Sequence, residues 1–426
     1  MKKLFAFLLA CMMLFLTACN QTPPNETTTG NPQNQEQPKD PALKDTIIKD
    51  SYDDFIDTPS RILFVNPMSP NYTFYYSKVD GKAYVYCFDP LCSHEGGCLA
   101  NPQDFKSVFS FYLDRTFFIN NRFYSVTTYG QIYSFAFDGS DIKIEYGEES
   151  YTIDAILPDG TREEGNINFN LWSPNFRVYD KYIYIPIYAD ENGNPRILRF
   201  NTETKEMEDL TEKTGNCILP DFFYNGEIYG REFPIGDYYK TKLDLSEAEL
   251  VDSFPVVGQF YGSVFFNFAY ERIDSKNGKY LGIKSYDMKT GETKIITNEM
   301  LGLEEANQCV VAAVDENYVY FYPYKQILVG TYINAKGQEK KRYKYNEGKL
   351  YRVKHDGTEC TLIYDNPNFE FNSREAVICG NQIIIEGKEY SVGADGYVVC
   401  TSSGMQIGTM GEDGKIEKFE NIELVY

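Results

Sequence analysis

Cys87, Cys92, His94 and Cys98 fall within the twelve residues CFDPLCSHEGGC, the densest set of metal-ligating and redox-capable side chains in the chain. Three thiolates and one imidazole match a closed tetrahedral zinc site in number and softness, so structural zinc is the one cofactor these residues suggest. Their C-x4-C-x-H-x3-C spacing departs from the paired C-x2-C of common zinc knuckles. In an exported chain the same residues predict a disulfide instead, Cys92 with Cys98 or Cys87 with Cys98. Both alternatives stay open, with the disulfide preferred. Either would be structural, because a closed four-ligand site leaves no position for a substrate.

Catalytic constellations are not found. The chain has two histidines, His94 in the cysteine cluster and His355 in an expected solvent turn, so a Ser, His and Asp triad lacks a base. No G-x-S-x-G, G-x-x-x-x-G-K or H-E-x-x-H occurs, and no sialidase-type Asp box. A pair such as Glu304 and Glu305 could serve acid/base chemistry, but 62 acidic residues supply many pairs by chance. Asp190, Asn192 and Asn194 imitate the start of a calcium loop. Pro195 then stands where glycine is required and Asn201 where a bidentate glutamate belongs, which predicts an ordinary hairpin turn. Cys217, Cys309, Cys360, Cys379 and Cys400 lie in strand-like contexts and read mostly as buried small hydrophobes, with a Cys379–Cys400 bridge as an option.

One more cysteine has a legible chemistry. Lys2 and Lys3 form a basic start, Leu4 to Leu16 an apolar stretch shorter than the ~20 residues a membrane span needs, and Leu16-Thr17-Ala18 leads into Cys19. Leu8-Leu9-Ala10-Cys11 has a related pattern, but cutting there would leave Met12 to Leu16 at the mature end. The segment around Cys19 resembles the lipobox of bacterial lipoproteins. That resemblance implies a signal peptide over residues 1–18, diacylglyceryl and palmitate-type chains on Cys19, and a membrane-anchored, extracytoplasmic protein.

Residues 19–45 read as a lipid-anchored flexible linker, because Asn20 to Asp45 is Gln, Thr, Pro, Asn and Gly with almost nothing apolar to offset ordering entropy. The formal net charge is -21, and removing Lys2 and Lys3 takes it to -23. So acidic a chain repels nucleic acid and anionic surfaces as a whole; cations and basic peptides remain compatible.

Beyond the linker, residues 46–426 predict one all-β domain. Tyr and Phe number 36 and 30, and they favour pleated, half-buried surfaces. A strand, a turn opening on Asp or Asn, and a second strand recur: IYSFAFDGSDIKIEY (Ile132 to Tyr146), ILRFNTETKEMEDLT (Ile197 to Thr211), YKTKLDLSEAELVD (Tyr239 to Asp252), GIKSYDMKTGETKIIT (Gly282 to Thr297) and LYRVKHDGTECTLIY (Leu350 to Tyr364). Their turn residues are Asp138, Asn201, Asp244, Asp287 and Asp356, extended by Asp89 before and Asp413 after. Successive intervals are 49, 63, 43, 43, 69 and 57, against the ~40–50 residues of a four-stranded propeller blade. The expectation is a β-propeller of about seven blades, six or eight being close alternatives. The long intervals locate insertions at Tyr151 to Trp172 and at Gln326 to Tyr345, the latter an extended hairpin. Strand content near Arg61 to Asn66 would complete the last blade, and the cysteine cluster would replace the outer turn of the first at Asp89.

The hairpins LYRVKHDGTECTLIY and IYSFAFDGSDIKIEY resemble those of Gram-positive lipoproteins carrying a propeller domain of unknown function, related to low-density-lipoprotein-receptor and TolB-like propellers. The resemblance implies fold and no activity. Taken together, the expected function is a membrane-anchored ligand- or protein-binding or scaffold propeller with an unknown cell-surface partner. The alternative is a carbohydrate-active hydrolase or lyase with carboxylates in the channel, and a third reading is an aid to assembly of membrane proteins.

Overall fold

Seven antiparallel four-stranded sheets, arranged as a β-propeller, make up the computed structural model of the chain. It describes residues 55–58, 60–65, 73–87, 116–126, 131–137, 141–147, 154–156, 162–164, 176–187, 194–233, 236–251, 258–273, 278–303, 308–422 and 424–425. These all belong to one compact unit, Lys44–Tyr426. Among the described residues no helix is long and apolar enough to cross a membrane.

From inner to outer strand, blade one is Phe55–Asp57, Arg61–Val65, Thr73–Ser77 and Lys82–Val85. Blade two is Thr116–Ile119, Arg122–Val126, Ile132–Phe135 and Lys143–Tyr146. Blade three is Arg177–Tyr179, Tyr182–Ile187, Arg196–Asn201 and Met207–Asp209. Blade four is Ile218–Tyr224, Glu227–Glu232, Tyr238–Lys242 and Glu249–Leu250. Blade five is Gln259–Tyr261, Val264–Arg272, Gly278–Asp287 and Thr293–Thr297. Blade six is Gln308–Val314, Tyr318–Ile333, Lys349–Lys354 and Thr361–Asp365, with Glu339–Asn346 added as the return strand of a long hairpin. Blade seven is Phe369–Cys379, Gln382–Val392, Val398–Met410 and Ile416–Asn421.

The repeat has a local chemical cause. The third strand ends in a turn whose Asp or Asn side chain accepts the N–H two residues on: Asn201 from Glu203 at 2.9 Å, Asp244 from Ser246 at 3.1 Å, Asp287 from Lys289 at 2.9 Å, Asp356 from Thr358 at 2.9 Å and Asp413 from Lys415 at 3.0 Å. That bond satisfies a backbone donor where the ladder stops and fixes the reversal. Asp138 lies outside the described residues. In blade one the corresponding turn carries Asp80, which accepts from Lys82 at 3.3 Å. Asp89 follows the outer strand and lies outside the described residues, so the turn is not where the repeat intervals placed it.

Blades stabilise one another through the faces between them. Blades five and six share Phe266, Ile283 and Ile296 with Cys309, Val319, Phe321 and Val353, and blades two and three share Tyr124, Val126 and Ile132 with Ile183, Ile185 and Phe200. Outer strands are solvated, as in Lys143–Tyr146 and Glu249–Leu250. A single sheet would expose both faces, and radial packing buries them.

Closure differs from the expected one. Arg61–Val65 pairs with its own neighbours in blade one and adds nothing to blade seven. Instead Leu424–Val425 pairs in parallel with Lys82–Val85 on the outer side of blade one. Ile62, Phe74, Tyr76 and Val85 then pack against Val377, Ile384 and Met405 of blade seven. Both expected insertions are present: a separate two-stranded hairpin, Asp154–Ile156 with Arg162–Glu164, lies between blades two and three, and the long hairpin belongs to blade six.

Candidate binding face

The residues singled out by their chemistry do not converge. Cys87 is half-buried at the end of blade one, against the core it shares with blade seven. Cys92, His94 and Cys98 lie outside the described residues, as do Cys19, Glu304, Glu305, Asp190 and Asn192; Asn194 is exposed before the third strand of blade three. Among the described residues no group of three or more His, Cys, Asp or Glu side chains could hold a metal ion.

His355 opens the turn after the third strand of blade six, as expected, but is half-buried rather than in solvent. Its ring packs on Phe266 and Tyr261 of blade five, with centroids 5.0 and 5.6 Å away, and Nε2 lies 3.0 Å from the Asp315 carbonyl oxygen. The turn lies against the neighbouring blade, whose two rings cover part of the imidazole. The Cys379–Cys400 bridge is absent, and both are free thiols. Cys379 sits opposite Gln382 and Cys400 opposite Tyr390, at opposite ends of the strand that separates them. Cys309 is the buried hydrophobe expected, Cys217, Cys360 and Cys379 are half-buried, and Cys400 is exposed.

Two carboxylates are buried among the described residues, both on inner strands. Asp221 is the extra residue of a bulge in Ile218–Tyr224, where Pro220 pairs with Gly230 and Phe222 with Tyr229. Burial pushes its carboxyl above the usual range, against the pull of Arg231 and Arg177; Arg231 Nε lies 3.4 Å away. A Pro-Asp pair inside an otherwise apolar run was the sequence signal for this bulge. Glu370, on the inner strand of blade seven, accepts the Tyr345 N–H at 2.8 Å and the Tyr390 hydroxyl at 2.6 Å. Each carboxylate is therefore held by protein groups, and they stand in different blades.

Of the seventeen large apolar side chains exposed among the described residues, nine stand on three hairpins. In a ring of antiparallel meanders every connection from second to third strand emerges on one face. Among the described residues the longest hairpins on that face belong to blades five, six and seven, and they carry Tyr270, Ile273, Tyr324, Leu328, Ile333, Tyr343, Tyr345, Val392 and Val399 exposed. The blade-six arm is bonded at its root to blade seven. The buried Lys344 amine donates to the Pro367 carbonyl and, at 3.4 Å, to that of Phe369, and burial holds it below the usual lysine range. Further out, Gly330, at φ +146°, faces Val398, where a Cβ would stand 2.5 Å from the valine methyl. On its outer side Tyr324 and Tyr345 stack at 5.6 Å, and Leu328 lies opposite Tyr343. The lysine-rich run of this arm, unusual in so acidic a chain, was the sequence signal for the face.

This geometry defines a class, a seven-bladed β-propeller whose hairpins in blades five, six and seven are elaborated on one face. No protein-family model and no curated protein matches the chain. Among solved structures it is similar to the β-propeller domain of the Trilobed protease from Pyrococcus furiosus, with 11% identity over 83% of this chain and 92% of that one, TM-score 0.37. It is also similar to BamB from Moraxella catarrhalis, with 10% identity over 81% and 82% of the two chains, TM-score 0.31. A third is the Niastella koreensis GH74 enzyme, with 10% identity over 86% and 52%, TM-score 0.39.

Proposed function

We propose that this protein is a non-enzymatic binding or scaffold propeller, tethered by acylated Cys19 to the outer side of a cell membrane and presenting the hairpin face of blades five to seven to a partner. The observation that carries the reading is the gathering of exposed Tyr, Leu, Ile and Val on those three hairpins, while both buried inner-strand carboxylates are bonded within the protein. The resemblance of the repeat hairpins to Gram-positive lipoproteins agrees with it. Photocrosslinking from Tyr343 and from Tyr270 in intact cells tests it, with Ile144 on the outer strand of blade two as the control position. Adducts only from the hairpin positions are expected; equal or absent adducts refute the reading. Metabolic labelling with a palmitate analogue, lost in Cys19→Ala, tests the anchor.

In the same proposal the Cys87 to Cys98 segment is a structural staple, a disulfide in preference to a zinc knuckle. Stoichiometric zinc with no disulfide among Cys87, Cys92 and Cys98 would overturn the disulfide. An enzymatic reading has one point in its favour, the raised carboxyl of Asp221 at an inner-strand bulge. Turnover of an acidic or neutral glycan that disappears in Asp221→Asn would establish it.

A further inference from the structure

We propose that the blade-six arm, with the hairpin tips of blades five and seven beside it, docks the propeller onto an anionic lipid bilayer. The inference rests on reading this face as a binding surface, and it is independent of Cys19. Between Lys325 and Asn346 the chain carries six basic residues, Lys325, Lys336, Lys340, Lys341, Arg342 and Lys344, against one acidic, Glu339. The whole chain is at -21, so the rest of it is at -26 and the arm at +5. An anionic surface repels the body and attracts the arm, which orients the molecule arm first.

The arm is built to present these groups. Lys344 and Asn346 are buried at its root and hold it against blade seven, while Lys336, Lys340 and Lys341 are exposed and, among the described residues, make no ion pair. Arg342 lies 4.1 Å over the Tyr332 ring. Beside the lysines stand Leu328 at 53% exposure and Ile333 at 45%, and the neighbouring tips add Ile273 at 67% and Val392 at 67%. Lysine for headgroups, tyrosine for the interfacial layer and aliphatic side chains for the acyl boundary are what an interfacial element requires. A soluble polyanion would engage the lysines and leave the aliphatic tips without a role.

The test uses the polypeptide 44–426, which contains every described element and lacks Cys19, in flotation with vesicles of phosphatidylcholine alone and of phosphatidylcholine mixed with phosphatidylglycerol. Binding only to the phosphatidylglycerol vesicles, weakened by added salt, is expected. Lys340→Gln with Lys341→Gln should weaken it about 25-fold, at about fivefold for each basic residue near an anionic surface. Leu328→Ser with Ile333→Ser should weaken it about tenfold. All four positions are exposed, so unchanged melting temperatures will show that the variants fold. No binding to phosphatidylglycerol vesicles overturns the inference. So does full retention by the Leu328 and Ile333 variant, since charge alone would then be read, as by a polyanion. If vesicles fail while crosslinks from Tyr343 persist, the binding face stands and its bilayer partner falls.

Discussion

Asn346 and Phe371 form a reciprocal pair across the boundary of two blades: the Asn346 amide donates to the Phe371 carbonyl at 2.8 Å and its Oδ1 accepts the Phe371 N–H at 3.1 Å. One side chain thereby imitates a strand partner at the bulge that interrupts the inner strand of blade seven between Phe371 and Ala376. Asn346 is fully buried, so water cannot replace it.

Asn346→Ala is expected to destabilise the propeller by at least about 3 kcal/mol, because three buried backbone groups, the Phe371 carbonyl and N–H and the Gly348 N–H, lose this partner at about 1–3 kcal/mol each. Asn346→Asp should be no better, since it keeps the acceptor but sets a carboxylate against the Phe371 carbonyl. Urea unfolding monitored by tyrosine fluorescence measures both; a change under about 0.5 kcal/mol would show that the pair is not a stabilising clasp.

Acid should unfasten the outer turns together. Hydrogen bonds from Tyr84 hold Asp80 below the ordinary aspartate value of 3.8, those from Ser246 do the same for Asp244, and at Asp287 burial opposes the effect but bonds from Ser263, Lys289 and Thr290 outweigh it. A depressed folded pKa means stability that is complete above 3.8 and is lost as pH falls through the folded value. Asp244→Asn with Asp287→Asn keeps the turn acceptors and removes the protonation. Its melting temperature should fall less steeply than the wild type's below pH ~4, and parallel curves would contradict the assignment.

Those turns are also why the architecture was legible. An Asp or Asn that bonds the N–H two residues on leaves a local signature, and Asn201, Asp244, Asp287, Asp356 and Asp413 each mark the turn from third to fourth strand. The alternation in Gln326 to Tyr345 likewise announced its hairpin. Blade one and the closure are less legible, because an Asp turn at Val79-Asp80-Gly81 and an aspartate at Asp89 stand within ten residues of each other and because the closing strand, Leu424–Val425, is too short to carry a periodicity. The partial cover over His355 depends on Phe266, almost ninety residues earlier in the chain, and a side chain's neighbours in the next blade are written nowhere near it.

The bulge at Asp221 requires glycine opposite. A Cβ on Gly230 would stand 2.1 Å from the Leu219 carbonyl oxygen, a backbone atom that cannot rotate away. Gly230→Ala should therefore cost about 2–3 kcal/mol. Gly380, in the turn after the inner strand of blade seven, has φ +61° and nothing within 4 Å of its Cβ position, so Gly380→Ala should cost only the left-handed strain, about 1 kcal/mol. Thermal melts of the two variants, compared side by side, check the order; equal losses would mean that the bulge relaxes freely.

Thiol chemistry gives an independent view of the same packing. Burial pushes the Cys309 thiol up to about 12 and those of Cys217 and Cys360 up to about 11, so few thiolates form there at neutral pH. Cys400 is exposed on the third strand of blade seven. Brief maleimide labelling of the native protein should modify Cys400 first, Cys379, Cys217 and Cys360 more slowly, and Cys309 only when blades five and six separate. Peptide mapping after increasing labelling times reads the sequence of events. Protection of Cys400 together with Cys379 until reductant is added would reveal a bridge between them, which the two free thiols at opposite ends of the intervening strand forbid.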